Sequence, residues 1–276
     1  MNRLSKSFIL HHSRFHFLIS ESMKRCSNIF VALFTSMLVF SGDCQSFKNE
    51  PSPSLNFGYS EFAPYTYTDE NGMASGEVSN IIRKVVSESD FEFEAIPGPN
   101  RRLFRSLVTD NIDLLMVVPF EHPDSHKLIF GEKVFDILEI SVFWLEGNTP
   151  PINLMSQLQG KPLITIAGYS YGGLFRGEGA LVTTERFNSE SHPQALKALS
   201  LGRAPYLLSY HKPAMFYFEP EPNVKLSSHT LEVLPLVLSI RRSYPNAEKV
   251  LKELETRYAA LFPERFLELN PNLPKD

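Results

Sequence analysis

Cysteine is nearly absent from this chain. Its two, Cys26 and Cys44, both fall within the first fifty residues, so neither a disulfide nor thiol chemistry is expected beyond them. Long apolar runs are missing too. Ile29 to Phe40 is uncharged and mostly apolar but only twelve residues long, against the ~20 that span a bilayer as a helix. With Lys24 and Arg25 before it, this run fits the core of a secretory signal. Residues 1–46 then form the targeting segment, with Met23 as a second candidate for the true start. A membrane-anchored amino terminus is the competing reading. A lipid-bearing Cys44 is disfavoured by Asp43, because that processing site wants a small residue. A strong charge excess is also lacking: the formal net charge of -4 gives no reason to expect nucleic acid or an anionic membrane as partner. No repeat is visible, and no nucleophile motif is expected.

What is present is an alternation of short strands and amphipathic helices. Leu55-Asn56-Phe57 reads as a strand ending at Gly58, followed by a loop dense in aromatics, Tyr59-Ser60-Glu61-Phe62-Ala63-Pro64-Tyr65-Thr66-Tyr67. Loops at the carboxyl ends of strands in open α/β sheets carry ligand contacts; a Pro-anchored turn with inward aromatics is the bland alternative. Asp69-Glu70-Asn71-Gly72 is turn chemistry. After Gly76, the residues Val78, Ile81, Ile82, Val85 and Val86 share one helical face. Phe91 to Ile96 alternates as a strand, Asn100 is a candidate N-cap, and Leu103, Phe104, Leu107 and Val108 line a short helix. Ile112 to Val118 reads as a buried strand. The result is a βαβαβ unit with right-handed crossovers.

Four stretches, in this order and spacing, resemble the bacterial family 3 extracellular solute-binding proteins: Phe57 to Tyr65, Asn71 to Gly76, Asn111 to Leu115, and Gly160-Lys161-Pro162-Leu163-Ile164-Thr165-Ile166-Ala167-Gly168-Tyr169-Ser170-Tyr171-Gly172. The resemblance covers about Leu55 to Phe262. It implies an α/β fold of the periplasmic binding protein-like type II, with two βαβ lobes joined by two crossover strands. Lobe 1 comprises 54–140 plus 231–276 and lobe 2 comprises 141–230, with crossings at Ile140 to Leu145 and Leu231 to Ile240. Further elements expected are a helix over Asn153 to Leu158, strands at Leu163–Ala167, Leu181–Glu185 and Tyr206–Tyr210, and a helix over Gln194 to Leu201. A short helix should start at Pro213, and a final amphipathic helix at Pro245.

In the resembled family an arginine after the third strand pairs with the ligand carboxylate and a second-lobe aspartate takes the ammonium, since a desolvated charge must be paired. This chain departs at both places. Counting from Phe130 places Asp124 at the arginine position, and counting from Gly202-Arg203 places Tyr210 at the aspartate position. An ordinary α-amino acid is therefore not the expected ligand. A cleft lined by Glu61, Phe62, Tyr65, Asp124, Tyr169, Ser170, Tyr171 and Tyr210 suits a cationic or aromatic solute. Arg101 offers a substitute anchor, weighed against a solvated helix surface for both Arg101 and Arg102. The loop Gly168 to Gly173 lacks the lysine of a phosphate-binding loop. His122-Pro123-Asp124-Ser125-His126 offers three potential metal ligands, but Pro123 and the turn composition argue against a site.

The expectation is thus an exported, periplasmic, monomeric solute-binding protein with no cofactor, no metal and no catalytic residues, handing a small molecule to a membrane transporter or sensor. Two alternatives stand beside it. One is an enzyme on the same fold, dehydratase-like or lytic transglycosylase-like, with Glu61 as acid/base. The other is a diverged accessory protein without a small ligand, which a collapsed apolar cleft would favour.

Overall fold

The computed structural model describes residues 53–119, 122–147, 149–220 and 225–271. The expected signal segment, Met23, Cys26 and Cys44 lie outside them.

The first strand, β1 (Ser54–Tyr59), sets the frame for a short hairpin of β2 (Tyr67–Thr68) and β3 (Ala74–Ser75). Two further strands, β4 (Glu92–Pro97) and β5 (Leu114–Val117), pair with β1 in parallel on either side. Parallel neighbours need crossovers, and these are α1 (Glu77–Ser87) and α2 (Asn100–Val108). Helix α1 buries the apolar face read from its periodicity, Val78, Ile81, Ile82, Val85 and Val86, each aliphatic side chain contributing about 1.5–3 kcal/mol. Asn100 is the first residue of α2 and not its cap. Pro99 holds the cap position at φ -64° and ψ 140° without a side-chain hydrogen bond, its ring presetting the φ. In the hairpin turn, Asp69 Oδ1 accepts from the N–H groups of Asn71 and Met73, each at 2.9 Å, and Gly72 takes φ 78°.

Two long antiparallel strands carry the chain through the molecule, β6 (Leu128–Leu145) and β10 (Leu226–Arg241). Both are longer than the crossings read from sequence. The other end of the fold is built from β7 (Leu163–Ile166), β8 (Arg186–Ser189) and β9 (Tyr206–Tyr210), with β7 parallel to both neighbours. Hydrogen bonding runs unbroken through eight strands in the order β4-β1-β5-β10-β6-β9-β7-β8. The two ends therefore share one ladder and do not carry separate sheets. β5 attaches to β10 over Val237 to Ile240, whereas β9 attaches to β6 over Ile140 to Phe143.

At this second end, α3 (His192–Ser200) is capped by Ser191, and α4 (His211–Phe216) follows directly on β9. α4 begins at His211, ahead of Pro213. Helix α3 packs Ala195 and Leu199 on Ile164, Ile166 and Leu207. The strand expected at Leu181–Glu185 is displaced: the carbonyls of Val182 and Glu185 accept from the N–H groups of Gly160 and Leu163, and pairing with β7 starts only at Arg186. The expected helix at Asn153–Leu158 shrinks to a single 3₁₀ turn, Met155–Leu158.

The chain closes with α5 (Ala247–Leu261) and an unanticipated α6 (Pro263–Leu269). These helices stitch the irregular start of β6. Glu255, nearly buried, accepts from the N–H groups of Glu132 and Lys133 at 2.7 and 2.8 Å. Asn270 brackets Val134, with Oδ1 accepting from its N–H at 2.9 Å and Nδ2 donating to its carbonyl at 3.0 Å. Gly131 makes the approach of Glu255 feasible: a Cβ there would lie 2.6 Å from its Oε1.

Candidate functional site

The aromatic loop after β1 is fixed by the start of α1. The N–H groups of Glu77 and Val78 donate to the carbonyls of Pro64 and Tyr65, both at 2.9 Å, which satisfies helix donors that lack an intrahelical partner. Gly76, at φ 105°, makes this junction; a Cβ would sit 2.6 and 2.7 Å from those two carbonyl oxygens. The loop thereby holds Phe62 and Tyr65 stacked, ring centroids 5.3 Å apart.

The opposing rings come from the loop after β7 and from the last residue of β9. Phe62 makes edge contacts with Tyr169 and Tyr210, both at 5.5 Å. Tyr210 lies 5.2 Å from Tyr169 and stacks on Tyr171 at 5.6 Å. Five expected site residues, Phe62, Tyr65, Tyr169, Tyr171 and Tyr210, thus form one cluster joining the two ends of the sheet. Aromatic pairs of this geometry contribute about 0.5–1.5 kcal/mol beyond their buried area.

Three of the hydroxyls are committed. Tyr65 donates to the carbonyl of Ile137 at 2.8 Å. Tyr171 accepts from the N–H of Ile166 at 2.8 Å and donates to the carbonyl of Leu208 at 3.2 Å. The Tyr210 hydroxyl is hydrogen-bonded to the Ser170 side chain and the Tyr171 backbone. Burial pushes the pKa values of Tyr65, Tyr169, Tyr171 and Tyr210 above the ordinary phenol range, so all four stay neutral.

Glu61 sits exposed at the rim, its carboxylate accepting from the N–H of Thr68 at 3.2 Å and from the Thr68 hydroxyl. Asp124 lies in the turn before β6 and pairs with Lys127 at 2.8 Å; that hydrogen bond holds its carboxyl below the usual range. Arg101 and Arg102 are exposed on α2, and Arg102 borders a 390 Å³ cavity with Ser106 and Asn111. A second cavity of 190 Å³ lies beside Tyr169, Tyr171, Arg186 and Asn188. Phe62 and Tyr210 line neither. In the His122–His126 turn, His122 Nδ1 accepts from the N–H of Asp124 at 3.1 Å. Among the described residues no group of three or more His, Cys, Asp or Glu is placed to hold a metal ion.

One expectation is corrected by the residues themselves. Gly168-Tyr169-Ser170-Tyr171-Gly172 does spell Gly-x-Ser-x-Gly. A nucleophile elbow requires a strained serine between strand and helix. Ser170 has φ -83° and ψ -25°, ordinary right-handed backbone, and precedes only a three-residue 3₁₀ turn. The pattern here is a turn.

Sequence reasoning missed His192, Tyr217 and Lys212. His192 opens α3, stacks on Tyr217 at 5.4 Å and leans on Tyr169 at 5.6 Å. The signal for its placement was Ser191 before Pro193, a cap followed by a first-turn proline. Lys212 Nζ lies 5.0 Å above the Tyr65 ring and pairs with Glu77 and Asp136.

No family model matches the chain, and no curated protein matches it in sequence. Solved structures do resemble it. The holo form of ArgBP from T. maritima is 17% identical with a TM-score of 0.57, over 78% of this chain and 94% of that one. A substrate-binding protein of an ABC uptake transporter from Streptococcus pneumoniae, with bound histidine, is 18% identical with a TM-score of 0.58, over 79% and 90%. A histidine kinase sensor domain similar to periplasmic binding proteins is 16% identical with a TM-score of 0.62, over 79% and 94%. With two α/β ends sharing two long crossing strands, and these likenesses over most of the described chain, the protein has the periplasmic binding protein-like type II fold.

Proposed function

We propose that this protein is an exported solute-binding protein that closes on a small cationic or aromatic solute and presents it to a membrane transporter or sensor. The observation that carries the reading is the cluster of Phe62 with Tyr169 and Tyr210, rings supplied by opposite ends of the sheet where the chain's long strands cross. Residues 54–140 plus 231–276 then act as one lobe and 141–230 as the other. A ligand touching both favours the closed form by its differential affinity. Glu61, Asp124, Arg101 and Ser170 complete the proposed lining. The likeness to the ArgBP and histidine-bound structures is in keeping with a nitrogenous solute. Among the described residues no helix is long and apolar enough to cross a membrane.

The test is a thermal-shift screen of the purified protein against a broad solute library. A rise in melting temperature with a cationic or aromatic solute supports the reading. A preference for acidic amino acids, or no response to any solute, overturns it.

A second reading draws on the same cluster. The opposing rings are already in contact, as expected of an accessory protein that needs no small ligand, and the same screen separates the two. An enzymatic role would rest on Glu61, and Glu61→Gln with a turnover assay addresses it.

A further inference from the structure

One polar atom in the aromatic cluster has nothing to bond. His192 is 5% exposed, and its Nε2 is enclosed without a hydrogen-bond partner among the described residues. A buried polar group left unpaired is unfavourable by about 1–3 kcal/mol, and native structures avoid it unless something else supplies the partner. Two more such atoms, Ser209 Oγ and His211 Nδ1, flank Tyr210 in the chain, where β9 ends. Those two belong to the other face of β9, where His211 stacks on Phe143, so His192 is the unpaired group that lies against Tyr169 and Tyr217.

The surroundings indicate what the missing partner is. The His192 ring is stacked with Tyr217 and tilted against Tyr169, and aromatic faces attract cations. The charged groups acting on these rings are mainly carboxylates: Glu61 on Tyr217 and Glu232 on Tyr210. Of the nearby cations, Lys212 is already paired with Glu77 and Asp136, and Arg186 lies over the Phe175 ring, at the cavity that Tyr169 and Tyr171 border. Burial lowers the His192 pKa to about 4, so at neutral pH the ring is uncharged and can accept a hydrogen bond.

We propose that His192 is a specificity-determining ligand contact, accepting at Nε2 a hydrogen bond from an ammonium or guanidinium group of the solute. This rests on the solute-binding reading and deepens it: the solute is a cation with N–H donors, and rings alone do not select it.

The experiment compares wild type, His192→Phe and His192→Asn by thermal shift and calorimetry with three probes. Agmatine carries guanidinium and ammonium donors, tyramine is an aromatic ammonium, and choline is a quaternary ammonium with no N–H. Wild type is expected to bind agmatine or tyramine more tightly than choline. His192→Phe removes the unpaired atom, so it should melt no lower than wild type while losing tenfold or more in affinity for the donor-bearing probe; His192→Asn should retain part of that affinity. Equal binding of choline, or unchanged binding by His192→Phe, overturns the proposal. So does a melting temperature that falls together with binding in both variants, which marks a purely structural histidine. Silence of wild type toward all three probes also overturns it. If the broad library then yields a hit of another chemistry, solute binding survives without this contact.

Discussion

Lys212 Nζ lies 2.7 Å from Glu77 Oε2, joining the start of α4 to the start of α1 across 135 residues of chain. The same ammonium is 3.6 Å from Asp136 and 5.0 Å above the Tyr65 ring. The pair thus sits next to the aromatic cluster and ties together the same two ends of the sheet.

Both side chains of this pair are about one-third exposed or more, at 32% and 42%, so solvent screens their attraction. A double-mutant cycle of Lys212→Ala and Glu77→Ala should return a coupling of only about 0.5 kcal/mol. Its effect should appear in shape instead: in small-angle scattering without solute, Lys212→Ala is expected to enlarge the radius of gyration. An unchanged radius would show that the aromatic contacts alone hold the ends together.

Asp136 is a different case. It is 1% exposed, and Arg265 reaches its Oδ2 at 2.5 Å. Burial raises its pKa, opposed chiefly by Arg265. Arg265→Met leaves that carboxylate enclosed with the Ile137 N–H and the more distant Lys212, and should destabilise the protein by about 3 kcal/mol. Urea denaturation followed by Trp144, the single tryptophan, measures it.

Gly76→Ala should damage the site through backbone alone. The position has φ 105°, and the new Cβ would meet two carbonyl oxygens below 3 Å. We expect a loss of about 2 kcal/mol or more from strain, with Phe62 displaced and any solute-induced melting shift reduced. Gly147→Ala, where nothing lies within 4 Å of the added Cβ, is the control for positive φ without a clash.

The depressed pKa of His192 sets a pH window. Unfolded, the imidazole gains a proton near 6.5; folded, burial delays this to about 4. The unfolded state therefore binds more protons between these values. The group's stabilisation is complete above pH ~6.5 and is lost as pH falls toward and through 4. At 1.36 kcal/mol per unit, the loss is on the order of 3 kcal/mol. Urea midpoints at pH 7 and 4.5 should differ more for wild type than for His192→Phe; equal differences would reject the assignment.

Local pattern made much of the fold legible. The apolar spacing of α1, the alternation of β4 and the apolar run of β9 each appear in consecutive residues, and each element formed near its expected place. The failures have physical causes. The early part of β6 contains Gly131, Glu132 and Lys133, which carry no apolar strand pattern; it is strand because Glu255 and Asn270, more than a hundred residues away, satisfy its backbone. Leu181 and Val182 read as strand, yet their segment bonds across to Gly160, and the true β8 carries little apolar signal.

By itself, then, the sequence determined the order of helices and strands, the placement of aromatic loops at strand ends and the turn chemistry between them, because these depend on neighbours within one or two turns of chain. Only the tertiary structure decided that Phe62 meets Tyr169 and Tyr210, that Lys212 meets Glu77, and that His192 is enclosed with a nitrogen left unbonded. Those relations depend on how strands far apart in the chain stack into one ladder, and no local periodicity encodes that.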